Sequence, residues 1–481
     1  MSTPTHDLGI VDGPFLPTWE SLRQFQCPDW YRDAKLGFWA HWGAQSVPMY
    51  GDWYARRMYI AGEDQYRHHW RVYGHPSKVG YKDIVQQWKA EKFDPDALMR
   101  LFVDAGGKYF VGQAMHHDNF DNFDSQHNRW NSVNIGPHKD IIGLWRAAAH
   151  AHSLPFGLSE HLGASFNWFA VNKGSDKTGP YTGIPYDGND LNFADLYHHN
   201  QGYSSAQGMF TDNEVFRRHW FDRIKDVIDK YQPDLLYSDS GVPFGEISLH
   251  MIAHLYNTSA RRHVGVNHAV YTQKDADPAV YTLGVLDIER GQRNEIAEHA
   301  WQTDTSVGDW FYNVRDIYKP SQQVLETLVD IVSKNGNLLL NIPQRPDGTI
   351  DDECEDLLRC MAAWMLPNGA GIFGSRPWKI AGEGPASATA GAFKEAAVDW
   401  SAADFRFTRV GDRLYAYQMR WPQDGRATIR ALASGEDRRV VGVRLLGYGD
   451  LAFEQAEAAL YITLPAQMLG AGPHGFAIVQ E

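Results

Sequence analysis

Between about Tyr31 and Gly374 the sequence alternates short apolar runs with longer amphipathic stretches, and no other feature constrains the fold as strongly. The runs "LGFWAHWG", "KYFVGQA", "PFGLSEH", "DLLYSDS" and "NLLLNI" read as strands. They are continuously apolar rather than alternating, the pattern of parallel strands covered on both faces. Between them, "DPDALMRLFVDAGG", "DIIGLWRAAAHAHS", "TDNEVFRRHWFDRIKDVIDKY" and "SQQVLETLVDIVSKN" carry helical periodicity, with Asp, Thr or Asn near several starts and a Gly stop after the first. Repeated β-α units predict an α/β fold, a (β/α)8-like barrel, with a doubly wound sheet as the alternative.

The tail reads differently. From about Trp378 to Glu481, "FRFTRVGDRLYAYQMRW", "RATIRAL", "VVGVRLLG", "ALYITLP" and "HGFAIVQE" are short β-type runs between Gly, Asp and Pro signals. They predict a C-terminal antiparallel β-sandwich. The expected division is a barrel over 1–377 and a sandwich over 378–481, with "AGEGPASATAGAFKEAA" at the junction.

Polar groups collect where the barrel strands end. "AMHHDNFDNFDS" follows a buried strand and supplies His116 and His117. His41 and Trp42 follow the first strand, with Asp52, Trp53 and Tyr54 soon after; Glu160 and His161 end another, and Tyr237 and Asp239 a fourth. Barrel enzymes build their sites at the C-terminal ends of their strands. Histidines, acids and aromatic rings converging there suit a polyhydroxylated ligand. A zinc site is disfavoured, since adjacent histidines cannot easily share one ion and no Cys/His/Glu spacing supports it.

Composition removes other classes. A net charge of −14 argues against a broad nucleic-acid surface. The three cysteines, Cys27, Cys354 and Cys360, form neither a disulfide framework nor a zinc motif. No apolar run reaches membrane-spanning length, and the first residues lack the pattern of a signal peptide. The expectation is therefore a cytoplasmic enzyme as written, or a periplasmic or secreted one if a leader was trimmed, with no membrane or nucleic-acid partner.

Six motifs in order, over roughly Asp29 to Pro385, resemble the α-L-fucosidases of glycoside hydrolase family 29. They are "WYRDAKLGFWAHWGAQSVPMYGDWY", "KYFVGQAMHHDNFDNFDS", "WNSVNIGPHKDIIG", "PDLLYSDSG", "SKNGNLLLNIPQRPDGTI" and "FGSRPWKIAGEGP". The resemblance implies a barrel followed by a β-sandwich, and a retaining exo-hydrolase needing no cofactor and no metal, acting on terminal α-linked L-fucose in fucosylated glycans. It implies Asp239 as nucleophile and a Glu on a variable loop as acid/base. Glu289 fits the family's distance to Trp301, with Glu298 and Glu295 as alternatives. It further implies sugar contacts from His41, Asp52, Trp53, His116 and His117.

The chain departs from the family pattern at several places. Asp52 stands where the family usually has Glu, and Tyr237 where it usually has Trp. Glu160 and His161 occupy a strand end that is often Tyr-Tyr-Ser, and the "NDR" segment has no clear counterpart, with Asn267 and His268 nearest. Trp310 and Tyr312 are expected to close the pocket, and Arg290, Gln292 and Arg293 to meet the leaving group. Two other readings are a related barrel glycosidase for another L-sugar, such as L-galactose, and a non-hydrolytic fucose-binding protein.

Overall fold

The computed structural model describes residues 8–435, 438–467, 470 and 472–481. Eight parallel strands close into a barrel: β1 Leu36–Ala40, β2 Tyr109–Met115, β3 Phe156–Glu160, β4 Leu235–Ser238, β5 Val270–Gln273, β6 Val285–Asp287, β7 Trp301–Ser306 and β8 Gly336–Asn341. Each pairs with its neighbour in sequence, and β8 closes on β1. Every residue of these strands is buried, because helices cover the outside and side chains fill the inside. The interior is packed by exchanging small residues for large ones. Gly37 pairs with Tyr109, and a Cβ on Gly37 would lie 2.3 Å from the Tyr109 ring. No larger residue fits there.

The helices begin where the sequence predicts. Asp94 caps α1, Pro95–Asp104, by accepting from the Ala97 amide; Asp140 caps α2, Ile141–Ala151; and Asn213 caps α3, Glu214–Tyr231. The helix α4, Glu246–Arg262, and α5, Ser321–Ser333, continue the outer layer. Strands β5, β6 and β7 are absent from the apolar runs in the sequence. They are short or polar, as in "WQTDTS", because their inward side chains bond to one another rather than pack as hydrocarbon: Gln302 on β7 donates to Asp287 on β6 at 2.7 Å and accepts from the Tyr31 and Tyr109 hydroxyls at 3.0 and 2.9 Å.

Beyond the barrel, a six-stranded antiparallel sheet faces a three-stranded one, giving the expected β-sandwich. The first strand of the larger sheet, Arg376–Glu383, spans the division expected after residue 377. The sandwich docks on α5 through two ion pairs, a buried one between Arg406 and Asp330 and a half-buried one between Arg420 and Glu326. Among the described residues no helix is long and apolar enough to cross a membrane.

Candidate active site

A cavity of about 310 Å³ opens at the C-terminal ends of the barrel strands. His41, Asp52, Trp53, His116, His117, His161, Tyr237, Asp239, Glu289 and Trp310, all singled out in the sequence, line it. So do Trp39, Arg57, Lys274, Asp304 and Phe393, which the sequence reading did not single out.

The stretch after β2 divides its labour. His116 and His117 face the cavity, whereas the polar residues that follow hold the loop in place. Asp121 pairs with the buried Arg223 of α3. Asn122 donates to the Trp42 carbonyl at 2.7 Å and the Gln113 carbonyl at 2.9 Å, while Asp118 accepts from the Tyr81 hydroxyl. Buried polar groups at a strand end must find partners, and here they find them in the loops around them. Asn341, the last residue of β8, does similar work for two sites at once. Its Oδ1 accepts from the His41 amide at 2.9 Å, and its Nδ2 donates to the Trp310 carbonyl at 3.0 Å.

The imidazoles are set by burial. His41 and His116 are held well below the ordinary histidine value, first by burial and then by the neighbouring imidazoles, so both are neutral at physiological pH. Gln45 Nε2 lies 2.8 Å from Nδ1 of His116, which makes Nδ1 the acceptor and leaves Nε2–H as a donor. Nδ1 of His41 and Nε2 of His161 are buried without a partner. Asp52 is pushed well above the carboxylate range by burial and then by Asp309, and its Oδ1 also lacks a partner. These are unpartnered hydrogen-bonding groups on residues that line the cavity, and leaving such groups unpaired is costly.

Asp239 sits opposite. Its Oδ2 lies 3.2 Å from His161 Nδ1 and 3.3 Å from His117 Nε2; its Oδ1 accepts from Lys274 Nζ at 2.5 Å and from the Tyr237 hydroxyl at 3.2 Å. Burial alone would raise its carboxyl, but the Lys274 ammonium and the two imidazoles outweigh burial and hold it well below the usual range. Lys274 also contacts Oε2 of Glu289. Burial pushes Glu289 up to about 7; Lys274 opposes this, and Asp304 and Asp239 add to it. The floor beneath continues the network, with the Tyr237 hydroxyl 3.0 Å from Asp304 Oδ2. Because one ammonium nitrogen touches an oxygen of each carboxyl group, those two oxygens lie within about 5 Å of each other.

Several expected residues are placed elsewhere. The Glu160 carboxylate does not line the cavity; it turns outward to Ser238, the Trp220 indole and the Leu162 amide. The reason is strand geometry: successive side chains face opposite ways, so His161 points in and Glu160 points out. Glu298 and Glu295 are exposed and outside the cavity. Tyr312 bonds Asp351 at 3.0 Å instead of closing the pocket. Asn267 and His268 precede β5 and so lie at the opposite end of the barrel; the polar group that β5 delivers is Lys274, directly after Gln273. Two trios, His41/His116/His161 and His117/His161/Asp239, each bring one ligand atom per residue within 4.8 Å of one another, a spacing that a metal ion accepts.

With this geometry in view, comparison with known proteins assigns the family. The α-L-fucosidase family model matches residues 6–370, and the α-L-fucosidase C-terminal domain model matches residues 399–479. The chain belongs to the α-L-fucosidase family. It is 28% identical to the tissue α-L-fucosidase of Rattus norvegicus over 479 residues, covering 97% of this chain and 92% of that protein. The tissue α-L-fucosidase of Homo sapiens is 27% identical over 477 residues, covering 96% and 90%. In fold, the chain is similar to the α-fucosidase of Thermotoga maritima in complex with fucose, with a TM-score of 0.76 at 24% identity and coverage of 97% and 100%. Family membership places this chain among the glycoside hydrolases and accounts for its two-domain order.

Proposed function

We propose that this protein is a retaining exo-α-L-fucosidase in which Asp239 is the nucleophile and Glu289 the acid/base. The observation that carries the reading is Lys274, whose ammonium bridges an ionised carboxylate and a carboxyl raised to about 7. Two neighbouring carboxyls with values pushed apart are what double displacement requires.

In the first step an Asp239 oxygen bonds to the anomeric carbon as the glycosidic C–O bond breaks, and Glu289 gives its proton to the departing oxygen. In the second, Glu289 takes a proton from water, the water oxygen bonds to the anomeric carbon, and Asp239 is released. Two inversions return the starting configuration. His41, His116, His161 and Asp52 offer donors and acceptors to the sugar hydroxyls, and the faces of Trp39 and Trp310 cover apolar carbons, including the fucose methyl. The substrate is the terminal fucose of a fucosylated oligosaccharide or glycoconjugate.

The test is to incubate the enzyme with a nitrophenyl α-L-fucoside and follow the product by proton NMR within seconds. The α-anomer of fucose is expected first. The β-anomer first, or no release of nitrophenol, would sink the reading.

A further inference from the structure

The loop that carries Glu289 is expected from the sequence to read the leaving group through Arg290, Gln292 and Arg293, yet each of these is turned back into the protein. The Arg290 guanidinium lies 4.7 Å over the Trp310 ring and donates to the Gly308 carbonyl at 2.8 Å. Gln292 accepts from Lys334 at 3.2 Å, and Arg293 lies 5.8 Å from the Tyr281 ring. What stands at the cavity mouth beside this loop comes from the other domain. The segment joining the first two strands of the sandwich's larger sheet runs back along the Glu289 loop and brings Phe393 to the cavity.

The placement of Phe393 is specified on both sides. The amides of Gly391, Phe393 and Glu395 donate to the carbonyls of Gln292, Glu289 and Arg290 at 2.9, 2.8 and 2.8 Å. Gly291 makes this approach possible, since a Cβ there would lie 2.0 Å from the Gly391 carbonyl oxygen. The Glu395 carboxylate anchors the segment to the barrel, accepting from Thr305 Oγ1 at 2.8 Å and Lys319 Nζ at 2.6 Å. Phe393 itself sits in the left-handed region, φ 56°, a conformation that costs a non-glycine residue energy and persists only when its surroundings impose it. The side chain held in this way is 68% exposed.

We propose that Phe393 is the stacking platform for the first sugar of the leaving group, on the far side of the scissile bond from fucose. This rests on Glu289 being the acid/base. Its proton goes to the departing oxygen, so whatever is fastened to the Glu289 main chain at the cavity mouth stands on the leaving-group side. A pyranose offers a flat C–H face, and an exposed phenyl ring offers the matching apolar surface. The C-terminal domain thereby completes the substrate site as well as packing on the barrel.

The experiment uses the full-length enzyme with two substrates, α-L-fucosyl fluoride, whose leaving group has no ring, and a fucosyl disaccharide. In Phe393→Ala the ratio of kcat/KM for the disaccharide to that for the fluoride is expected to fall roughly three- to tenfold, the size of a lost aromatic contact. Phe393→Trp is expected to restore it. A ratio unchanged in Phe393→Ala, or equally reduced in Phe393→Trp, overturns the platform. Wild-type enzyme that cleaves neither substrate overturns the fucosidase reading, and the platform with it.

Discussion

The wall of the cavity built at the ends of β1, β2 and β3 presents four histidines, whereas the wall built at β4 to β7 presents Asp239, Lys274, Glu289 and Asp304. The two walls answer burial in different ways. His41 and His116 lose their charge when buried and remain good hydrogen-bonding groups, so they need no counter-ion. A carboxylate that must stay ionised cannot do this. Asp239 keeps its charge only because Lys274, His161 and His117 surround it, and Glu289, with less compensation, holds its proton up to about pH 7. The first wall suits recognition of a neutral sugar, and the second suits bond-breaking.

The contrast is broken most sharply by removing the charge that the second wall protects. Asp239→Asn keeps the shape but cannot attack, so turnover is expected to fall by roughly a thousandfold or more, with circular dichroism unchanged. Near-normal turnover would move the nucleophile elsewhere.

Glu289→Ala comes next, with losses of roughly 10²–10⁴-fold on a disaccharide and much smaller ones on a substrate whose leaving group needs no proton. Azide is expected to restore part of the turnover on the activated substrate by attacking the glycosyl-enzyme. Wild-type kcat/KM should decline as pH rises through about 7, because Glu289 must be protonated for the first step, and that limb should vanish in Glu289→Ala. A basic limb that survives the substitution assigns it to another group.

Lys274→Met tests the bridge. The ammonium lowers both carboxyls, so its loss lets both rise, and the whole pH–activity profile should move to higher pH. The acid limb is expected to shift by roughly one to three pH units. A profile reduced in height but unmoved would make Lys274 structural only.

The smallest effect is expected on the histidine wall. Both histidine trios have spacing that a metal accepts, but the reading of these imidazoles as sugar contacts predicts that prolonged dialysis against a strong chelator leaves activity unchanged. Lasting loss, restored by zinc, would replace that reading with a metal centre.

The sequence by itself determined the five apolar barrel strands, the capped helices, the β-rich tail, and the positions of His41, His116, His117, His161 and Asp239 at or just past strand ends. These follow from local pattern: apolar runs, capping residues, and polar groups at strand ends. Tertiary structure decided the rest. Strand β7 carries Thr303, Asp304 and Thr305 inward and outward in a polar run, so no apolar signal announces it. Glu160 and His161 are neighbours in sequence, and only the strand's pleat separates the one that faces the cavity from the one that does not. Lys274 has no distinguishing neighbours; it matters because closing the barrel brings it against Asp239 and Glu289. Phe393 lies more than a hundred residues beyond Glu289, and a return segment from the second domain puts them side by side. Local sequence encodes which face of an element is buried, whereas charge compensation and cavity walls arise between elements, where the distance along the chain carries no information about the distance in space.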